Sequence, residues 1–112
     1  MTLDALRAYG ANTGEGMARC MNNEAFYLRM VAMALADKNF DALTAAINAG
    51  NTAAAFEAAH ALKGSTGNVS LTPIYKPVCE LTELLRGKDA PVPGAAELAE
   101  RIMAAREQAL SL

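Results

Sequence analysis

Apolar residues along this chain recur at helical spacing, and Gly, Asn and Pro separate the runs. Between Asn23 and Ala36, the residues Tyr27, Met30, Val31, Ala34 and Leu35 fall at i, i+3, i+4, i+7 and i+8, the stripe of an amphipathic helix. Asn39 is placed to cap a following helix, in which Phe40, Leu43 and Ile47 form the stripe and Gly50 the stop. Asn51 or Thr52 opens a longer helix that reaches about Val69. Ser70 or Thr72 opens the next, with Leu71, Ile74, Tyr75, Val78, Leu81 and Leu85 on one face. Gly87 to Gly94 holds two prolines and two glycines and reads as a connector. The last helix runs from about Ala95 to Leu110, with Leu98, Ile102, Ala105 and Ala109 inward.

The N-terminus is less regular. Thr2 can cap a short segment in which Leu3 and Leu6 share a face and Gly10 ends the turn. Asn12 to Gly16 has the composition of a loop, with a turn or two of helix expected around Met17 to Met21. No window alternates with period two long enough to predict a strand. Four helices are long enough to pack side by side, and short connections make neighbours antiparallel. The pattern thus predicts an all-α fold: an up-down antiparallel four-helix bundle with short additional N-terminal helical segments, one domain over residues 1–112.

Composition narrows the function classes. Hydrophobic residues make up 53% of the chain and charged residues 20%, which argues for a packed core and against disorder. A chain of 112 residues buries one core but not a deep cleft as well, so a carrier or interaction role stands ahead of an elaborate enzyme. The net charge is -2 with no basic block, which argues against nucleic acid as a partner. No segment has the length of a membrane span, and the first residues lack the pattern of a signal peptide. Cys20 and Cys79 match no metal or redox spacing and read as small core residues, reduced in a cytoplasmic protein. No heptad stripe is left over for self-association, so a monomer is expected, and the lack of a flanking linker favours a free-standing protein.

The candidate chemistry lies on the helix from Thr52 to Val69. At about 100° per residue, Ala55, Ala58, Ala59, Leu62, Ser65, Thr66 and Val69 gather on a core side. His60, the only histidine, lies roughly 160° around from Leu62 and points to solvent. Glu57, Lys63, Gly64 and Gly67 share its surface at helical spacings. Two glycines inside one helix cost about 1 kcal/mol each relative to Ala. Beside an exposed His they would let another molecule approach the ring. Lys63 places a positive charge where a phosphoryl group on His60 would sit. Phe56 lies toward the same side, either as part of a docking patch or buried against the N-terminal segment.

The run His60-Ala61-Leu62-Lys63-Gly64-Ser65-Thr66-Gly67-Asn68-Val69 resembles the signature of histidine phosphotransfer (HPt) domains, His-x-Leu-Lys-Gly followed by small residues. Ala58-Ala59 before it, and the following helix with Leu81, Glu80 and Glu83, fit the same resemblance, which covers nearly the whole chain. It implies a four-helix bundle in which His60 is the phosphorylated residue, Lys63 helps neutralise the phosphoryl group and Gly64 gives a partner access. The implied partners are receiver domains of response regulators and of hybrid sensor histidine kinases, which would supply Mg²⁺. No cofactor of the chain's own is implied, and the absence of a Gly-rich nucleotide loop argues against direct use of ATP. The chain departs from the family pattern at Ser70, where many members have Gly or Ala. It departs again at Pro73 and Pro77. Pro73 suits a first helical turn, whereas Pro77 is expected to kink its helix.

Two other readings compete. A degenerate scaffold would dock a receiver without accepting phosphate, and the presence of both His60 and Lys63 argues against it. A di-iron bundle needs paired Glu-x-x-His motifs that this chain lacks. A thiol enzyme needs Cys20 or Cys79 near His60, and the predicted helices put neither thiol there.

Overall fold

In the computed structural model, which covers residues 1–112, seven helices and no strand make up the protein. They are α1 (Leu3–Tyr9), α2 (Thr13–Arg19), α3 (Glu24–Leu35), α4 (Asn39–Asn48), α5 (Thr52–Asn68), α6 (Thr72–Leu85) and α7 (Ala95–Leu110). The last four close a ring: α5 packs between α4 and α6, and α7 lies against α6 and α4. Helix α3 prolongs the α4 side of that ring. Its first turn reaches the far end of α5, where the Tyr27 hydroxyl donates to the Val69 carbonyl at 2.9 Å. Its last turn is held to α7 by Arg106, whose Nε donates to the Leu35 carbonyl at 2.8 Å.

One core of 24 buried residues runs from Leu6 in α1 to Ala109 in α7. On α5 it takes Ala55, Ala58, Ala59 and Leu62, and their small size lets α4 and α6 come close. Leu62 is fully buried, which is worth about 1.5–3 kcal/mol of apolar transfer. The buried hydroxyls of Thr66 and Thr82 donate to the carbonyls of Leu62 and Val78, one turn back, at 2.7 and 2.8 Å. No buried side-chain polar atom lacks a partner.

Local chemistry sets the helix ends, and several differ from expectation. Asn23 and Asn51 cap α3 and α5, accepting from the Phe26 and Ala54 amides at 3.0 and 3.1 Å. Asn39 does not cap α4. It is the first helical residue, and the Asp37 carboxylate accepts from its backbone amide at 2.9 Å. Neither Ser70 nor Thr72 caps α6, because the cap position falls on Leu71, whose side chain is buried.

The segment Asn12–Gly16, expected as a loop, opens helix α2, with Asn12 capping it by accepting from the Glu15 amide at 3.2 Å. Gly16 is there for packing: a side chain on it would run into the Tyr27 ring. Helix α6 is continuous from Thr72 to Leu85, with Pro77 inside it and buried. Pro73 stands at the helix start, where a missing N–H costs nothing.

Candidate functional site

Helix α5 positions the site. Its Asn51 cap and its burial between α4 and α6 fix the helix, so each outward residue has a set direction. Phe56, Glu57, His60, Lys63, Gly64 and Gly67 follow one another along the outer surface. His60, Glu57 and Gly64 are exposed, while Phe56, Lys63 and Gly67 are half-buried.

His60 stands at the edge of an open polar groove of about 650 Å³. Lys63, Gly64, Gly67 and Asn68 form one wall from α5. Asn12, Glu15 and Arg19 come from the start and body of α2, and Ser70, Thr72, Tyr75 and Lys76 from the start of α6. Phe56 and Glu57 lie outside this groove. The Phe56 ring instead stacks on the His60 ring, with centroids 5.9 Å apart and planes 14° from parallel. It also packs partly against the core, and from beyond the end of α6 the Arg86 guanidinium lies 5.2 Å from its ring centroid.

The two glycines of the motif differ. A Cβ on Gly64 would meet nothing within 4 Å, so the space beside His60 is open there. A Cβ on Gly67 would come within 2.8 Å of the Tyr75 ring. Gly67 therefore gives room to the Tyr75 ring, while its backbone still lines the groove.

Charge in the groove is unevenly committed. The protein's ion pairs are Arg7–Asp4, Arg19–Glu15 and Arg86–Glu83, which leaves Lys63 free. Arg19 is occupied: besides Glu15 at 2.6 Å, it donates to the Gly67 carbonyl at 2.8 Å and to Ser70 Oγ at 3.0 Å. Ser70 holds a left-handed backbone (φ 56), uncommon for a residue with a side chain. Its amide carbonyl accepts from the Asn12 amide at 3.0 Å, so α2 is fastened to the α5–α6 turn. Arg86 holds the Glu83 carboxyl below its usual range through a hydrogen bond and direct attraction, with Lys63 a minor contributor. The Tyr75 phenol is raised, chiefly by its neighbour Cys79.

Sequence reasoning missed Arg19, Glu15, Tyr75, Lys76 and Arg86. Two of the three partners of Arg19 lie 48 and 51 residues away, and no local pattern announces such a contact. Cys20 is buried and Cys79 half-buried, both as free thiols. No group of three or more His, Cys, Asp or Glu side chains is placed to hold a metal ion. No helix is long and apolar enough to cross a membrane.

Compared with known families, residues 28–111 match the family model described as Hpt domain. No curated protein and no solved structure matches the chain.

Proposed function

The chain belongs to the Hpt domain family, whose members are phosphocarrier modules of phosphorelays, and from that premise we propose that His60 is the residue that carries the phosphoryl group. The observation that carries this reading is the placement of His60, an exposed imidazole at the rim of an open groove, with the unpaired cation Lys63 one turn further along the same helix. A neutral imidazole nitrogen is a competent nucleophile near neutral pH.

The donor is an aspartyl phosphate on a receiver domain. A ring nitrogen of His60, Nε2, attacks phosphorus; the P–N bond forms as the P–O bond to the aspartate breaks, and the carboxylate leaves. Reversal onto the aspartate of a second receiver completes the relay. Such a transfer depends on in-line positioning and charge neutralisation more than on covalent machinery. Lys63 neutralises the phosphoryl oxygens, and Gly64 leaves room for the partner's surface. Glu57 and Phe56 border the contact on the other side. The receiver brings the divalent cation. Lys76 and Lys63 give the groove a positive cast on a chain of net charge -2, which suits an acidic partner surface. On this reading the carrier works as a monomer among cytoplasmic receivers and has no turnover of its own.

The test is labelling from a phosphorylated receiver. The label should be lost in acid and kept in alkali, and His60→Gln should abolish it while the helical content stays unchanged. A label that survives in His60→Gln would sink the assignment. No label from several active receivers would leave the chain a docking scaffold.

A further inference from the structure

An exposed side chain on a helix ordinarily samples several rotamers. His60 is exposed, yet one face of its ring is covered by Phe56, its neighbour one turn back at i−4. Phe56 is in turn fixed from the other helix. Arg86 stands where the chain leaves α6, with its guanidinium over the Phe56 ring. Glu83 directs that guanidinium with two hydrogen bonds, Nε to Oε2 at 3.1 Å and Nη2 to Oε1 at 3.0 Å. The result is a chain of contacts from α6 to the reactive ring: Glu83, Arg86, Phe56, His60.

The polar end of this chain does little for the fold, whereas Phe56 also packs against the core. The Arg86–Glu83 pair is about half-exposed on both sides, and surface ion pairs of this kind contribute little to stability. Its geometry is nonetheless well defined: a two-pronged guanidinium–carboxylate contact that sets the plane of the guanidinium above a ring. Beside Gly64, where a Cβ would meet nothing, the groove is open.

We propose that Phe56, Arg86 and Glu83 are positioning residues for phosphotransfer, which hold the His60 imidazole in one orientation with its nitrogen edge toward the groove. The inference rests on His60 being the phosphoryl acceptor. Its effect is on the rate of transfer once a donor is bound, since a nitrogen out of line with phosphorus loses much of the advantage of being held close.

Two readouts test it. The first needs no donor. In the unmodified protein, the His60 ring-proton NMR signals should carry a ring-current displacement from Phe56 and show through-space contacts to that ring. Arg86→Ala should weaken both, Glu83→Gln should weaken them less, and Phe56→Leu should remove them. Phe56→Tyr, which restores a ring, should keep them.

The second is the rate of labelling by phosphoramidate, a small donor whose P–N bond breaks with release of ammonia as the bond to His60 forms. At saturating donor, Arg86→Ala and Phe56→Leu should be slower by roughly tenfold, with Phe56→Tyr near the unmodified rate. With a receiver as donor, the loss should fall on kcat and leave KM unchanged. Unaltered His60 signals in Arg86→Ala, or a loss confined to the receiver's KM, would overturn the positioning role and make these residues docking contacts only. Failure of the unmodified protein to label with either donor would instead remove His60 as acceptor, a distinct result.

Discussion

The surface around Gly64 and the surface around Gly67 lie one turn apart on α5, and they are built for opposite purposes. Around Gly64 a Cβ would meet nothing, and the neighbouring Lys63 and His60 are free of ion pairs. Around Gly67 the space is taken: the Tyr75 ring lies where a side chain would project, and Arg19 holds the carbonyl. Two identical residues in one motif thus answer different needs. One keeps a surface clear, and the other lets α6 and α2 close against the end of α5. A glycine costs about 1 kcal/mol in a helix wherever it stands, so its presence says that something needs the room. Only the fold says what.

Gly67→Val should give the larger stability change. Its Cβ would lie 2.8 and 3.2 Å from two carbons of the Tyr75 ring, which must move. A loss of about 2 kcal/mol is expected, as for overpacking generally, read as a lower midpoint in a urea melt with unchanged slope. Adding Tyr75→Ala should cost less in the Gly67→Val background than alone, because there it also removes the clash. Independent, additive losses would mean that Tyr75 is not what Gly67 makes room for.

The same distinction explains how far the sequence could be read. Helices α3 to α7 were legible because apolar spacing, Asn23, Asn51 and the stops at Gly50 and Gly87 are local signals. The outward direction of His60 followed from helix geometry alone. Helix α2 was only partly legible: a turn or two was expected around Met17 to Met21, and its start was hidden because Gly14 and Gly16 carry the composition of a loop. The reason Gly16 is glycine lies in Tyr27, on another helix. The packing of Tyr75 over Gly67 was hidden in the same way, since Tyr75 is eight residues away across a turn whose path the sequence does not specify. The Arg86 contact to Phe56 joins two helices at a point set by their register, which periodicity does not fix. Which face of a helix turns inward was readable, and the particular side chain it meets on another helix was not.

Gly64→Ala should move stability in the other direction. The added methyl meets nothing, so the helix gains about 1 kcal/mol from propensity, read as a higher melting midpoint. A larger side chain separates access from stability. Gly64→Leu should keep the fold at least as stable, yet slow transfer from a receiver by roughly tenfold through lost positioning, while labelling by phosphoramidate changes little. Equal slowing with both donors would mean that the side chain acts on the His60 ring itself and not on the approach of a partner.

The smallest effect distinguishes the two cations beside the glycines. Arg19→Met keeps an apolar stem but removes the bonds to the Gly67 carbonyl, Ser70 and Glu15. Ser70 is buried, but Arg19 and Glu15 are about half-exposed, and water replaces part of what is lost, so a cost of about 1 kcal/mol is expected. Faster amide hydrogen exchange in α2 should accompany it, because the bonds of Arg19 tie that helix to the α5–α6 turn. Lys63→Met, one turn away, removes a cation that holds nothing, so its stability should stay within about 0.5 kcal/mol of the unmodified protein. Its phosphotransfer should fall all the same. If both variants melted alike and exchanged alike, the clear surface and the filled one would not differ in what holds them, and the contrast between Gly64 and Gly67 would reduce to the one contact with Tyr75.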